Sequence, residues 1–321
     1  MGLLEVLLNA RLSPRERLYA LSLLAVASIV AALLVAFAVT FFAEAEPIFR
    51  KEGLGVYLWS VWRAVEGNPE AEEYGLAAAI LGTIYVAVIA VLVSLPLSLA
   101  LVLLTTEYLP SRRLREAVSA LVDAMAALPT IVYGLWGVAV LAPLLRDYVM
   151  LPLYHCCRWI PLFSAYPYTG NTIFTAGVLM GIMSVPYVAA LIREAYIMVP
   201  RGIREAVYAL GATKSEAIRV ALGYIKPVVL AAALLGFGRA AGETVAVALV
   251  VGDVLKISIS PFTPGYTIAA LIATQYGNAF LYKYMESALF AGGLMLLIIG
   301  VAVNAAGIAL MNRWIREVHA R

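Results

Sequence analysis

The hydrophobic positions of this chain are gathered into long runs that carry almost no charge. A helix that crosses a bilayer needs about 20 consecutive apolar residues. Six runs meet that length, at residues 19–43, 75–106, 117–145, 172–192, 227–251 and 287–311. The third run contains one charge, Asp123, and the fifth contains two, Arg239 and Glu243. The pattern predicts an all-α integral membrane protein with six transmembrane helices.

The polar connections between the runs predict three parts. Residues 1–74 form an N-terminal tail, the first span and an external loop, and residues 75–312 form the main transmembrane domain. Residues 313–321 form a short basic tail. Residues 146–171 and 253–283 are predicted to be loops.

Composition excludes a soluble globular domain. The 321 residues are 63% hydrophobic and 13% charged, with a mean hydropathy of +0.92, and a soluble surface could not be built from that balance. The net charge of +3 is too small to indicate binding to nucleic acid. We therefore expect a multi-pass protein of the plasma (inner) membrane.

The distribution of Lys and Arg predicts the orientation, because connections on the cytoplasmic side are enriched in these residues. Alternate connections differ by about two to one, which places both termini in the cytoplasm. The inside set is Arg11, Arg15, Arg17, Arg112, Arg113, Arg115, Arg193, Arg201, Arg204, Lys214, Arg219, Lys226, Arg313, Arg316 and Arg321. The outside set is Arg50, Lys51, Arg63, Arg146, Arg158, Lys256 and Lys283.

Residues 199–226 (VPRGIREAVYALGATKSEAIRVALGYIK) are unusually long and polar for a connection within a compact bundle. The spacing predicts two short helices, at residues 203–210 and 213–222. Gly211 suits a C-terminal cap, and Thr213 with Glu216 three residues later matches a capping box. Such a two-helix loop can dock into a groove on a soluble partner. The alternative is an amphipathic hairpin that lies on lipid headgroups.

Residues 205–207 (EAV) followed by Gly211 resemble the EAA-and-glycine loop of ABC-importer permeases. That resemblance implies the type I ABC importer permease fold and a 199–226 loop that couples to an ATPase subunit. It also implies the coupling residues Arg204, Glu205, Ala206, Gly211, Ala212 and Thr213. Val207 departs from the pattern, and so does the exit from the loop, where Gly223 stands in place of an expected proline.

Three further segments resemble the phosphate-importer permeases of that class: residues 107–110 (EYLP), 128–137 (LPTIVYGLWG) and 238–244 (GRAAGET). The YGLWG sequence and residues 267–270 (TIAA) resemble PstC-type subunits in particular. The resemblance covers about residues 75–312. It implies phosphate as the cargo and three kinds of protein partner besides the lipid membrane. These are a PstA-like second permease, two PstB-like ATP-binding subunits and a PstS-like extracytoplasmic phosphate-binding protein.

Arg239 lies near the middle of the fifth run, where an arginine costs about 2.5–3.5 kcal/mol and needs a partner. Glu243, four residues on, would lie on the same helix face and predicts an ion pair. The pair is either purely structural or a substrate site in which Arg239 contacts an anion and Glu243 holds it in place. Arg239, Glu243 and Thr244 are therefore the candidate substrate-pathway residues, because a guanidinium can donate two parallel hydrogen bonds to an oxyanion.

Three other functions remain open from the residues. The chain could carry another oxyanion such as molybdate or sulfate, act as an ion-coupled secondary transporter, or serve as a membrane scaffold that transports nothing. Asp123 is interpreted as compensation of a helix dipole.

Enzyme chemistry is not predicted. Residues 211–215 (GATKS) are superficially similar to a phosphate-binding loop but lack its second glycine and its spacing. We expect no cofactor and no ATP hydrolysis by this chain. Cys156 and Cys157 are adjacent and define no disulfide framework, and beside His155 they lack the further ligands of a metal site.

Overall fold

Helices form most of the computed structural model, which describes residues 13–319; Arg11 and Arg321 lie outside them. In chain order the α-helices are α1 (Pro14–Glu52), α2 (Ala77–Leu103), α3 (Arg112–Ala127), α4 (Thr130–Trp136), α5 (Ala142–Leu145), α6 (Leu151–Cys157), α7 (Ile173–Ile197), α8 (Arg201–Ala209), α9 (Lys214–Tyr224), α10 (Lys226–Ala241), α11 (Val245–Val250), α12 (Ile268–Gln275) and α13 (Met285–His319). The π-helical segments are Leu104–Tyr108, Gly137–Leu141 and Arg146–Met150, and the 3₁₀ segments are Gly53–Tyr57, Pro161–Phe163 and Tyr276–Leu281. Strands β1 (Trp62–Arg63) and β2 (Glu73–Tyr74) form one short antiparallel pair.

Within residues 13–319, five helices are long and apolar enough to cross a membrane, and a sixth span results if the bent pair α9 and α10 counts as one. Of that pair, α10 corresponds to the predicted fifth run, while α9 belongs to the 199–226 loop. Helices α1, α2, α7 and α13 confirm the first, second, fourth and sixth predicted spans. Helix α13 continues through His319, so most of the predicted basic tail is helical.

The third predicted span is wrong in position. It occupies Thr130–Cys157, whereas α3 is a separate helix with no buried residue. The two are divided at Pro129, which forces Leu128 into an extended conformation with ψ 134°. Asp123 therefore lies on α3 and not within a span, and the first part of the predicted loop 146–171 is helical.

The fifth predicted span is broken. Helix α10 ends at Ala241, and α11 begins at Val245 after a three-residue interruption. Residues 253–283, predicted to be a loop, contain α12 and the 3₁₀ segment Tyr276–Leu281.

The centre of the bundle is the pair α2 and α7, which cross closely at two glycines. A Cβ added to Gly177 would lie 2.5 Å from the Cβ of Ile89, and one added to Gly181 would lie 2.6 Å from that of Val93. Small residues allow this approach of two helix backbones in a membrane. The two helices therefore form one tightly packed unit.

The far end of the bundle, opposite the 199–226 loop, is fastened by Glu72. Its buried carboxylate accepts hydrogen bonds from the backbone N–H groups of Lys283 (3.2 Å) and Tyr284 (3.0 Å), just before α13. Lys51, in the last turn of α1, donates to the carbonyl of Pro69 at 2.9 Å. The end of α1 and the start of α13 therefore meet at this end.

At the other end, Nε1 of Trp314 donates to the carbonyl of Tyr224 at 2.9 Å. The last turns of α13 and the 199–226 loop therefore lie together. Since α1 is one continuous helix, its start lies at this end too. Both ends of the described chain are on the side of the 199–226 loop, as the prediction for the termini requires; which side is cytoplasmic stays a prediction.

Candidate functional site

The 199–226 loop is the two-helix structure that the sequence predicts. Helix α8 begins at Arg201, two residues earlier than expected, and α9 follows a tight turn. Gly211 has a φ of +79°, a conformation that disfavours any residue with a Cβ, and its N–H donates to the carbonyl of Tyr208 at 2.9 Å. The prediction of Gly211 as the residue that ends the first helix is confirmed.

The start of α9 carries the predicted capping box. The N–H of Glu216 donates to Oγ1 of Thr213 (3.4 Å), and the N–H of Thr213 donates to Oε2 of Glu216 (2.7 Å). The backbone N–H of Thr213, and then its hydroxyl, hold the pKa of Glu216 below its ordinary value of 4.5. The carboxylate therefore stabilises α9 above pH 4.5, and this contribution is lost as the pH falls through the lowered pKa.

The exit from the loop lies further along the chain than the sequence suggests. Helix α9 passes through Gly223 and ends at Tyr224, and α10 leaves at an angle of 65°. Ile225 lies between the two helices, and Pro227 stands in the first turn of α10, where the absence of its N–H costs no helical hydrogen bond. The bend is thus at Ile225 and not at Gly223.

The predicted coupling residues divide into two groups. Glu205, Ala206, Gly211 and Thr213 are exposed on the loop, whereas Arg204 and Ala212 are half-buried. The tip also carries Leu210, which is 88% exposed and was not predicted. The sequence contains a signal for this residue, because Leu210 is an apolar residue in the turn between two charged helices. The exposed group, together with Leu210, forms a surface that a partner could cover.

Arg204 points into the bundle. Its Nη1 lies 2.8 Å from Oε1 of Glu107, and its guanidinium lies 4.7 Å from the ring centroid of Tyr196. The hydroxyl of Tyr196 donates to the same Oε1 at 2.8 Å. Lys214 donates from Nζ to the backbone carbonyl of Glu107 and lies 4.6 Å from the ring centroid of Tyr108. We call these five residues the Glu107 joint.

Arg239 stands in the last turn of α10, and the predicted ion pair with Glu243 is wrong for this structure. Among the described residues, no Glu243 oxygen lies within 4.0 Å of an Arg239 nitrogen. The helix ends at Ala241, so Glu243 is no longer on the face that carries Arg239. Thr244 donates from Oγ1 to the carbonyl of Gly242 at 3.5 Å.

Arg239 instead lines a cavity of about 330 Å³ between α3, α4, α7 and α10. Its guanidinium carbon lies 5.9 Å from the ring centroid of Tyr187, and the cavity wall also contains Asp123, Thr130 and Tyr133. Glu243 and Thr244 do not line it. We call this space the Arg239 cavity.

The polar atoms of the Arg239 cavity are suited to an anion. Arg239 contributes guanidinium donors, and Thr130 and Tyr187 contribute hydroxyl groups, whereas the hydroxyl of Tyr133 donates to the carbonyl of Met125 at 2.8 Å. Asp123 supplies a single opposing charge. Arg239 and Asp123 are both exposed in the isolated chain, so the cavity opens to the outside of this subunit.

Within residues 13–319, no group of three or more His, Cys, Asp and Glu side chains could hold a metal ion. Cys156 and Cys157 form a disulfide with each other, a pairing that was not predicted.

A family model described as "Binding-protein-dependent transport system inner membrane component" matches residues 95–316, more than half of the chain. The probable phosphate transport system permease protein PstC of Methanocaldococcus jannaschii is 47% identical over 278 residues, which cover 87% of this chain and 88% of that protein. The phosphate transport system permease protein PstC of Xylella fastidiosa is 37% identical over 262 residues, 80% of each chain.

Among solved structures, a chain of the MetNI methionine ABC transporter in an inward-facing conformation superposes with a TM-score of 0.53. It is 19% identical and covers 74% of this chain and 95% of that one. The likeness concerns the fold alone, and it confirms the predicted type I ABC importer permease fold.

Proposed function

The chain belongs to the family of binding-protein-dependent transport system inner membrane components, and from that premise we propose that it is the phosphate-translocating permease subunit of an ATP-driven importer. It is a multi-pass membrane protein by its family and its apolar helices. The proposal adds the cargo, the residues that meet it and the partners.

The observation that carries the proposal is Arg239 in its cavity, where no carboxylate within residues 13–319 lies at ion-pair distance from it. An ionisable residue that faces a cavity between transmembrane helices, with no carboxylate at ion-pair distance among the described residues, typically marks a substrate path. A planar guanidinium can donate two parallel hydrogen bonds to phosphate, and hydroxyl groups such as those of Thr130 and Tyr187 can complete the shell. Relatives at 47% and 37% identity bear the name of phosphate permeases, which supports phosphate as the anion.

Asp123 limits how tightly the cavity holds an anion. Its carboxylate lines the same space as Arg239 and repels a phosphate that enters. A transport site has to release its cargo, so a weakened site suits transport better than a fully cationic one. Glu243 and Thr244, in the break after α10, remain candidates for the path next to the cavity.

The open side of the Arg239 cavity requires a second wall. A PstA-like permease would supply it, and a PstS-like binding protein would deliver phosphate from the extracytoplasmic side. Two PstB-like subunits would hydrolyse ATP, so this chain would be non-catalytic. The exposed surface of Glu205, Ala206, Gly211 and Leu210 would contact one of them, with the 199–226 loop and both termini in the cytoplasm.

The test compares anions on the assembled complex. The chain, its second permease, its ATPase subunits and its binding protein are reconstituted in proteoliposomes, and ATP hydrolysis is measured with phosphate, sulfate or molybdate supplied outside. We expect phosphate to stimulate hydrolysis and to accumulate inside. Stimulation by sulfate or molybdate with no response to phosphate would assign the chain to another oxyanion, and accumulation driven by an ion gradient without ATP would exclude the importer.

A further inference from the structure

We infer that Glu107 is a positioning residue that fastens the 199–226 loop to the transmembrane pair α2 and α7. Movement of the loop would then displace both helices. The inference rests on the proposed function, since it concerns how ATP hydrolysis in partner subunits reaches the Arg239 cavity.

The first fastening is the carboxylate of Glu107. It stands at the end of the π-helical segment Leu104–Tyr108, which follows α2 directly. One oxygen, Oε1, accepts from Arg204 on α8 and from Tyr196 in the last turn of α7, both at 2.8 Å. The side chain of Glu107 is only 14% exposed, so water competes weakly for these charge-assisted bonds.

The second fastening is the backbone of the same residue. The carbonyl of Glu107 is among the last of the helical segment, where carbonyl groups lack partners within the helix. Lys214, at the first position of α9, donates to it and covers the ring of Tyr108. The two helices of the loop thus hold one residue of the core, α8 through its side chain and α9 through its backbone.

Contacts continue from the joint to the Arg239 cavity. Helices α2 and α7 are packed against each other at Gly177 and Gly181, so a displacement of one moves the other. Helix α7 then supplies Met183, Pro186 and Tyr187 to the wall of the cavity. The path from the loop to the cavity therefore runs through packed or hydrogen-bonded groups at every step.

A matched control exists in the same chain. Arg112 and Glu116 form an ion pair at 2.7 Å within α3, and their side chains are 92% and 61% exposed. This pair joins no two elements, and exposed pairs of this kind contribute little. Its loss should leave coupling intact.

The experiment uses the reconstituted complex and measures phosphate uptake and ATP hydrolysis in the same vesicles. The wild-type complex comes first: if it takes up no phosphate with ATP, the proposed function fails whatever Glu107 does. The variants are Glu107→Ala, Arg204→Ala and their combination, with Arg112→Ala and Glu116→Ala as controls. All are compared per assembled complex.

We expect Glu107→Ala and Arg204→Ala each to lower the phosphate transported per ATP about tenfold while ATP hydrolysis persists. The double variant should be no worse than either single one, because both remove the same contact. The conservative change Glu107→Gln keeps the shape and one acceptor oxygen, so it should assemble and lower the ratio by about threefold. A wild-type ratio in assembled Glu107→Ala or Glu107→Gln, or an equal fall in the control variants, would overturn the inference.

Discussion

Arg204 and Arg239 are two cations in one bundle, and the fold surrounds them in opposite ways. Arg204 has a carboxylate oxygen at 2.8 Å and an aromatic ring beneath its guanidinium. Arg239 has the ring of Tyr187 at 5.9 Å, and among the described residues no carboxylate lies within 4.0 Å of it. The Glu107 joint satisfies its charge inside the chain, whereas the Arg239 cavity leaves its charge to be satisfied from outside.

The difference indicates two roles for arginine in this bundle: Arg204 joins structural elements, and Arg239 is available to bind a ligand. A paired and half-buried cation joins elements, because breaking the pair would leave a desolvated charge. An unpaired cation in a cavity can be neutralised by a ligand that comes and goes. Sequence position does not distinguish the two, since each arginine lies close to a glutamate along the chain, Glu205 beside Arg204 and Glu243 near Arg239.

The strongest test of this contrast is Arg239→Gln. Loss of two charge-assisted hydrogen bonds, about 3 kcal/mol together, should lower phosphate uptake about a hundredfold in a correctly assembled complex. Arg239→Lys keeps the charge but not the planar fork, and should fall between Gln and wild type. Uptake of radiolabelled phosphate into proteoliposomes measures both.

The control for that test is Arg112→Gln, which removes an exposed cation that does not line the cavity and should leave uptake unchanged. Normal uptake in assembled Arg239→Gln would show that the cavity does not contact the anion. The contrast between the two arginines would then be structural only.

A second test concerns the loop that the Glu107 joint holds. Gly211→Ala places a Cβ at a φ of +79°, a strain of about 1–2 kcal/mol, and should weaken the binding of the ATPase subunit by roughly tenfold. Gly223→Ala is the matched control, because Gly223 is helical with open space around it and alanine favours a helix. Co-purification of the ATPase subunit with each variant measures the effect. If both variants retain the ATPase subunit equally, the turn at Gly211 is not part of the interface.

The smallest expected effects are those of neutralising the carboxylates of Asp123 and Glu243. Asp123→Asn removes the negative charge that shares the cavity with Arg239, and should lower the half-saturating phosphate concentration by up to about threefold, since the group is exposed. Glu243→Gln makes the same chemical change outside the cavity wall and should alter it less. The phosphate dependence of ATP hydrolysis measures both, and a larger effect at Glu243 would make that residue the partner of Arg239 in the working complex.

Local features of the 199–226 loop were predictable from sequence. The capping box of Thr213 and Glu216 and the turn at Gly211 depend on residues at most three positions apart, so the structure that they stabilise follows from their order along the chain. The spans α1, α2, α7 and α13 were predictable for a similar reason, because a long uncharged run has few alternatives to crossing the bilayer.

The third span and the ion pair were not predictable from the same patterns. The length of an uncharged run does not show which helix face each residue occupies. Residues 117–145 therefore predict one span, although they combine part of amphipathic α3 with the start of the span that follows Pro129. The pairing of Arg239 with Glu243 assumed a helix that continues for four residues, and α10 ends after two. In both cases a break in the backbone decided the outcome.

The Glu107 joint could not be derived from local spacing at all. Glu107 and Arg204 are 97 positions apart, and only the packing of α2 against α7 brings them together. In the sequence, Glu107 carries no signal beyond belonging to residues 107–110, which resemble the phosphate-importer permeases. Long-range polar contacts of this kind need the folded chain.

The 65° bend between α9 and α10 means that a rotation of the 199–226 loop would move the far end of α10 sideways. The hydrogen bond from Trp314 to the carbonyl of Tyr224 fixes the chain beside the bend, so a rotation of α10 would be centred there. The arm from Lys226 to Arg239 is about 20 Å long at the rise of an α-helix. A rocking of the 199–226 loop by about 5° would swing the guanidinium sideways by about 2 Å, more than half the length of a hydrogen bond. A displacement of that size is enough to form or break the hydrogen bonds between Arg239 and a bound oxyanion, without unfolding either helix.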